Sequence, residues 1–126
     1  MNLAIVGSRS LNIDLNKFIT QMPDKIITGD AYGVDRSARI FAIEHNIELK
    51  IFKPDYFKFR KSAPIIRNIN IVNSCDKLIA FWDGKSYGTM HAVKIANKKN
   101  KQIKVFIVKN NSISLFFKSN VQMTLI

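Results

Sequence analysis

Two histidines and one cysteine are all that this sequence offers a soft or borderline metal ion, and they show no ligand spacing. Metal-centred catalysis is not expected. The single cysteine, Cys75, also excludes an intramolecular disulfide, in keeping with a reducing compartment. Its place near an apparent helix end marks it as a small packed side chain rather than a nucleophile. Long apolar runs are missing as well. The longest, Leu78–Trp82 and Val105–Val108, reach five and four residues, far below the roughly 20 that a membrane helix needs. The strand-like LAIV at Leu3–Val6 follows Met1 almost directly, with no basic leader, so the expected compartment is the cytoplasm. No internal repeat, low-complexity tract or linker divides the 126 residues, which suffice for one domain with a real core.

Negative charge is scarce too. Nine acidic residues stand against 20 basic ones, a formal net charge of +11. Lysine outnumbers arginine fifteen to five, and only Lys98-Lys99-Asn100-Lys101 forms a cluster. Specific phosphate and base contacts favour arginine. The charge therefore predicts weak, non-specific nucleic-acid affinity and not a dedicated reader.

What is present alternates. Leu3–Val6 reads as a strand broken by Gly7-Ser8-Arg9-Ser10, and an amphipathic segment Ile13–Met22 closes at Pro23. Lys25–Thr28 reads as a second strand. Gly33 then opens a helix with Val34, Ala38, Phe41 and Ala42 on one face. Ile47–Phe52 is a third strand, followed by a long polar connection through Pro54, Tyr56 and Lys61. Pro64 suits the start of a helix whose Ile65, Ile69 and Val72 share a face, with Arg67, Asn68 and Asn70 elsewhere. Lys77–Trp82 is a fourth strand, Gly88 onward a helix burying Ala92, Val93 and Ala96, and Ile103–Val108 a fifth strand. The remainder, 109–126, holds LFF and VQMTLI, suited to one or two further strands that cover a sheet edge or form a dimer interface. The expected fold is a single α/β domain: a Rossmann-like parallel sheet of about five strands, helices on both faces, and an extra C-terminal strand or hairpin.

Ligands of such sheets bind beyond the carboxyl ends of the strands, where the strand order reverses. The glycine-rich and polar stretches GSRS, TGDAYGVD, KPD and FWDGKSYGT all follow strand ends. One pocket built from several loops is the implication. In GSRS, Gly7 permits close backbone approach, with Ser8 and Arg9 as donors. In TGDAYGVDRSA, Gly29 and Gly33 permit unusual turns, and Asp35 caps its helix, accepts hydrogen bonds from ribose hydroxyls or orients the neighbouring loop. The stretch Asp83–Thr89 offers Gly84 and Gly88, the hydroxyls of Ser86 and Thr89, and a helix start at Thr89, a combination suited to a phosphate or diphosphate. It is neither a Walker loop nor a G-x-G-x-x-G fingerprint.

In order and spacing, GSRS, TGDAYGVDRSA, KSAPIIRN and AFWDGKSYGT resemble the small stand-alone YspA-like branch of the SLOG superfamily. That superfamily also includes the Rossmann-like domains of the cytokinin-activating phosphoribohydrolases and of the DNA-uptake protein DprA. The resemblance covers residues 1 to about 108. It implies a pocket for a nucleotide or a nucleotide-derived ligand such as ADP-ribose. Carried over by residue, it implies ligand contact at Gly7, Ser8, Arg9, Gly29, Gly33, Asp35, Arg67, Asn68, Asp83, Gly84, Ser86, Gly88 and Thr89. Asp30 departs from it: the family shows Gly-Gly-Ala where this chain has Gly29-Asp30-Ala31, and a carboxylate there repels a phosphate or grips a ribose. The family's Gly-Pro before the RN motif is Pro64-Ile65, and Tyr87 replaces a common arginine.

The phosphoribohydrolases follow their P-G-G-x-G-T motif with a catalytic glutamate. Here Thr89 leads into Met90-His91-Ala92, with no carboxylate for acid–base work. The expected function is thus a binding module (sensor, carrier or sponge) for an ADP-ribose- or NAD-related compound. The enzymatic alternative is an N-glycosidic hydrolase of nucleoside phosphates using Asp30, Asp35 or Asp83. A second alternative is DNA binding in the manner of DprA. No cofactor is required, although a diphosphate ligand would leave an oxygen-ligand site for Mg²⁺ at Asp83.

Overall fold

The computed structural model describes residues 1–119. The tail segment VQMTLI, expected to add strand, lies outside them. Six strands form one sheet in the order β3-β2-β1-β4-β5-β6. They are β1 (Asn2–Gly7), β2 (Lys25–Gly29), β3 (Glu48–Phe52), β4 (Lys77–Trp82), β5 (Gln102–Lys109) and β6 (Ser112–Ser119). The first five are parallel, and β6 returns antiparallel to β5. The helices are α1 (Val34–Glu44), a short α2 (Tyr56–Phe59), α3 (Ala63–Ser74) and α4 (Tyr87–Lys98).

Right-handed crossovers decide which face each helix covers. The chain steps outward from β1 to β2 to β3 on one side, then returns across the sheet to β4 and onward to β5. Reversing direction puts the later connections on the opposite face. Accordingly α1 packs over Leu3, Ile5, Ile26, Ile79 and Phe81, while α3 and α4 pack over Ala4, Val6, Leu78, Ala80 and Val105. Neighbouring residues of β4 thus serve different cores, as the two-residue period of a strand requires. The reversal lies between β1 and β4.

Four local expectations differ from the structure. The segment Ile13–Met22 makes only a 3-10 turn at Leu15–Lys17. There the Asp14 side chain accepts from the Asn16 amide at 3.2 Å and so draws the backbone into a local turn, while Ile13, Leu15 and Ile19 still reach the core. The connection after Pro54 is not featureless. Asp55 caps α2 by accepting from the Lys58 amide at 3.0 Å, and a 3-10 turn, Arg60–Ser62, runs into α3. On α3 the buried stripe is Asn68, Ile71 and Val72, continued by Cys75 beyond the helix end, and Ile65 is exposed. Asn68 holds an inward position because it finds polar partners there. Finally, α4 begins at Tyr87, with Ser86 as its cap, one or two residues before the expected start at Gly88 or Thr89.

The hairpin between β5 and β6 turns on Asn110-Asn111, whose φ angles of 51° and 61° suit the primed turns that join twisted strands. Asparagine tolerates that region better than other residues with a side chain. Cys75 is buried, and burial pushes its thiol up to about 11, which agrees with a packing role. Among the described residues, no helix is long and apolar enough to cross a membrane.

Candidate functional site

At the strand-order reversal, residues from the N-terminal halves of α3 and α4, from the end of β1 and from the neighbouring loops surround an open cleft of about 460 Å³. Its walls come from the loops after β1, β2 and β4 and from α3, whereas the KPD stretch after β3 contributes no lining residue. Each wall is held by contacts that follow from its own residues.

The β1 loop is sewn to the β4 loop by Ser8. Its amide donates to the Phe81 carbonyl at 3.1 Å, and its hydroxyl accepts from the Asp83 amide at 3.1 Å. Ser8 is therefore buried beneath the cleft, while Arg9 and Ser10 line it. The β2–α1 loop closes against this seam through Gly33, whose φ is 73° and ψ −125°. A Cβ on Gly33 would collide with the carbonyls of Ser8 and Arg9. Gly33 is a spacer between loops, not a lining residue.

The β4–α4 loop is organised around the Asp83 carboxylate. One oxygen accepts from the amides of Lys85 and Ser86, both at 2.8 Å, and the other from the Ser10 hydroxyl at 3.4 Å. Partial burial works to raise the Asp83 pKa. The Lys85 and Ser86 amides and the Ser8 and Ser10 hydroxyls outweigh it and hold the group below the ordinary carboxylate value. Ser86 then caps α4, accepting from the Thr89 amide at 3.4 Å, and its hydroxyl meets that of Thr89 at 3.0 Å. Trp82 ties the loop down by donating its indole N–H to the Ser86 carbonyl at 3.0 Å. Asp83 thus carries three hydrogen-bond donors, and among the described residues no three His, Cys, Asp or Glu side chains converge.

The opposite wall carries the buried charge. Asp35 lines the cleft at 6% exposure and accepts from the Ala31 amide at 3.3 Å. Burial raises its pKa above the usual carboxylate value, against the pull of the Ala31 amide and of the Arg67 and Arg39 guanidinium groups. Arg39 secures the loop, donating to the carbonyls of Gly29 and Ala31 at 3.0 Å each. Arg67 reaches from α3, forms an ion pair with Asp30 at 3.6 Å and donates to the Asn68 side chain at 3.0 Å. Asn68 in turn lies 3.4 Å from the Gly88 carbonyl and 3.3 Å from His91 Nδ1. A Cβ on Gly29 would sit 2.8 Å from Arg67 Nη1. That glycine makes room for the arginine.

The structure thus gathers Gly7, Arg9, Asp35, Arg67, Asn68, Asp83, Ser86, Gly88 and Thr89 around one space. Ser8, Gly29, Asp30 and Gly33 stand behind or beside it, supporting the lining, whereas Gly84 faces Ile107 and Lys109 of β5 and does not line it. Three further cleft residues, Val6, Ile71 and Ala92, are core residues of β1, α3 and α4 whose ends reach the cleft floor. Nothing in the sequence separates them from their buried neighbours. Ser10 and Ala31 lie within the quoted loops, and Pro64 at the start of α3 completes the wall.

Chemically the lining balances two arginines, Arg9 and Arg67, against two carboxylates, Asp35 and Asp83. Hydroxyls and a capped helix start lie opposite. Such a site suits a ligand that combines one anionic group with hydrogen-bonding hydroxyls better than a highly charged polyanion. Comparison with protein-family models, with curated proteins and with solved structures gave no match to this chain.

Proposed function

We propose that this protein is a binding module for a nucleotide-derived small molecule of the mononucleotide, ADP-ribose or NAD-related type, taken up in the cleft at the β1–β4 reversal. The observation that carries the reading is the pairing, in one cleft, of Arg9 and Arg67 with the Ser86 and Thr89 hydroxyls and the buried Asp35 carboxylate. In this reading Arg9 and the start of α4 hold a phosphate. Asp35 accepts from ribose hydroxyls, a role for which its place deep in the cleft is suited. The resemblance of the four loops to the YspA-like branch of the SLOG superfamily supports the same ligand class, and a sensor, carrier or sponge needs nothing further.

Asp30 modifies the expectation. Its ion pair with Arg67 must rearrange before that arginine can serve a phosphate fully, so Arg9 is the primary anchor. Thermal-shift and calorimetric titration with nucleoside monophosphates, ADP-ribose and NAD test the reading. Binding is expected to raise the melting temperature by mass action. Arg9→Ala should weaken it by about 1.5–3 kcal/mol, the worth of a hydrogen bond to a charged group. No shift with any compound at millimolar concentration would refute it.

One observation favours a second reading, an N-glycosidic hydrolase. Of the three candidate acids, Asp83 is committed to its loop and Asp30 to Arg67, whereas Asp35 faces the cleft with a raised pKa. That is the state a general acid requires. Release of free base from nucleoside monophosphates, abolished by Asp35→Asn, would establish hydrolysis.

A further inference from the structure

All three tyrosines of the chain lie in the connections that leave the cleft end of the sheet: Tyr32 in the loop after β2, Tyr56 at the start of α2 after β3 and Tyr87 at the start of α4 after β4. Their exposures are 77%, 56% and 79%. Exposure alone assigns nothing to an aromatic residue. Tyr87, however, is both exposed and oriented. Its ring lies nearly parallel to that of His91, 17° between planes and 6.2 Å between centroids. His91 is tied through Nδ1 to Asn68, which lines the cleft. A chain of contacts therefore runs from the cleft lining to a flat ring whose outer face is in water.

The neighbours of Tyr87 point the same way. Ser86 and Gly88, on either side of it, both line the cleft. Beyond its chain neighbours and the α4 backbone, the place where Gly88 would carry a Cβ has no atom within 4 Å. The start of α4 next to Tyr87 is thus uncrowded on that side. Tyr32 stands on the other side of β1, because the sheet order places β2 and β4 on its two flanks. Its loop is fixed by the Ala31–Asp35 hydrogen bond and by the close fit of Gly33 against Ser8 and Arg9.

We propose that Tyr87 is the base platform of this cleft, with Tyr32 facing it from the opposite rim, so that the ligand class is a nucleoside phosphate and not a base-free sugar phosphate. The inference rests on the nucleotide reading of the cleft and adds the part of the ligand that gives it specificity. A tyrosine ring stacks on any nucleobase at little entropic cost, having two side-chain torsions to fix. Because every base has a π-face, the platform selects for the presence of a base rather than its identity.

Calorimetric titration with AMP, GMP, CMP and UMP, set against ribose 5-phosphate as the base-free control, tests this in the wild type, Tyr87→Ala, Tyr87→Phe and Tyr32→Ala. Stacking on one aromatic ring predicts that nucleotides bind the wild type about tenfold to a hundredfold more tightly than ribose 5-phosphate. Tyr87→Ala should erase most of that advantage without changing ribose 5-phosphate affinity, Tyr87→Phe should retain it, and Tyr32→Ala should reduce it partially. Equal affinity for AMP and ribose 5-phosphate in the wild type, or an advantage that survives Tyr87→Ala, would overturn the platform while leaving a phosphate-binding cleft in place. Failure of every compound to bind would refute the nucleotide reading itself, and the platform with it.

Discussion

Replacing Gly33 by alanine should be among the most damaging single-methyl changes available in this chain. Two costs add. The backbone at φ 73°, ψ −125° is in a region open in practice only to glycine, and forcing a residue with a side chain into such a region costs about 1–3 kcal/mol. The new Cβ also meets the carbonyls of Ser8 and Arg9, backbone atoms that are themselves held by the seam between β1 and β4. Overpacking of that kind adds about 1–3 kcal/mol. Together they predict a drop of roughly 2–6 kcal/mol, a large share of the roughly 5–15 kcal/mol that holds a domain folded. For a chain of this size the melting temperature should fall by roughly 4 °C per kcal/mol, hence by about 8–24 °C. Gly88→Ala is the internal control. It lies in α4 with open space around its missing side chain, so alanine should stabilise the helix by up to about 1 kcal/mol and raise the melting temperature by a few degrees, while its methyl narrows the cleft and weakens ligand binding. Thermal melts followed by circular dichroism read both. A Gly33→Ala variant melting within about 3 °C of wild type, or a Gly88→Ala variant as unstable as Gly33→Ala, would show that the two glycines have been assigned the wrong roles.

The raised pKa of Asp35 has a definite sign in stability. Between the ordinary value of 3.8 and the raised folded value, the folded chain binds more protons than the unfolded one, so this group's contribution falls as pH rises through that window. Asp35→Asn should therefore gain melting temperature relative to wild type as pH climbs from about 3 to about 7, and a gap that moves the other way would mean the carboxylate is stabilised as the anion. The basic cluster makes the third prediction. Lys98, Lys99 and Lys101 lie at the far end of α4 from the cleft, roughly 15 Å from its first turn at 1.5 Å per residue. Changing all three to glutamine should weaken DNA binding and reduce its salt slope by about 0.9 for each phosphate no longer neutralised, with nucleotide affinity unchanged. Tight DNA binding that persists at about 200 mM salt would instead favour DNA as the ligand.

Much of this architecture was legible in the order of residues. Runs such as Leu3–Val6 and Lys77–Trp82 are too short and apolar for anything but buried strands, and the stripe Val34, Ala38, Phe41 and Ala42 fits one helix face. Parallel alternation with right-handed crossovers then leaves few topologies, and all of them gather the loops after β1, β2 and β4 at one end. The place of the cleft followed from that geometry, whereas Arg67 and Asn68, which line it from α3, were indicated only by the resemblance of the RN motif. The sequence did not reveal which polar groups face the ligand and which hold the loops. Ser8 and Arg9 are adjacent, yet Ser8 commits its amide to Phe81 on β4 and its hydroxyl to the Asp83 amide, whereas Arg9 lines the cleft. Asp30, Asp35 and Asp83 are equivalent as letters, but an ion pair, burial and three hydrogen-bond donors give them different duties. Asn68 sits on the buried face of α3 because Gly88 and His91, some twenty residues later, supply its partners. Local pattern fixes the period of a helix or strand. The satisfaction of a buried polar group depends on atoms brought near by the fold, and only the tertiary structure supplies them.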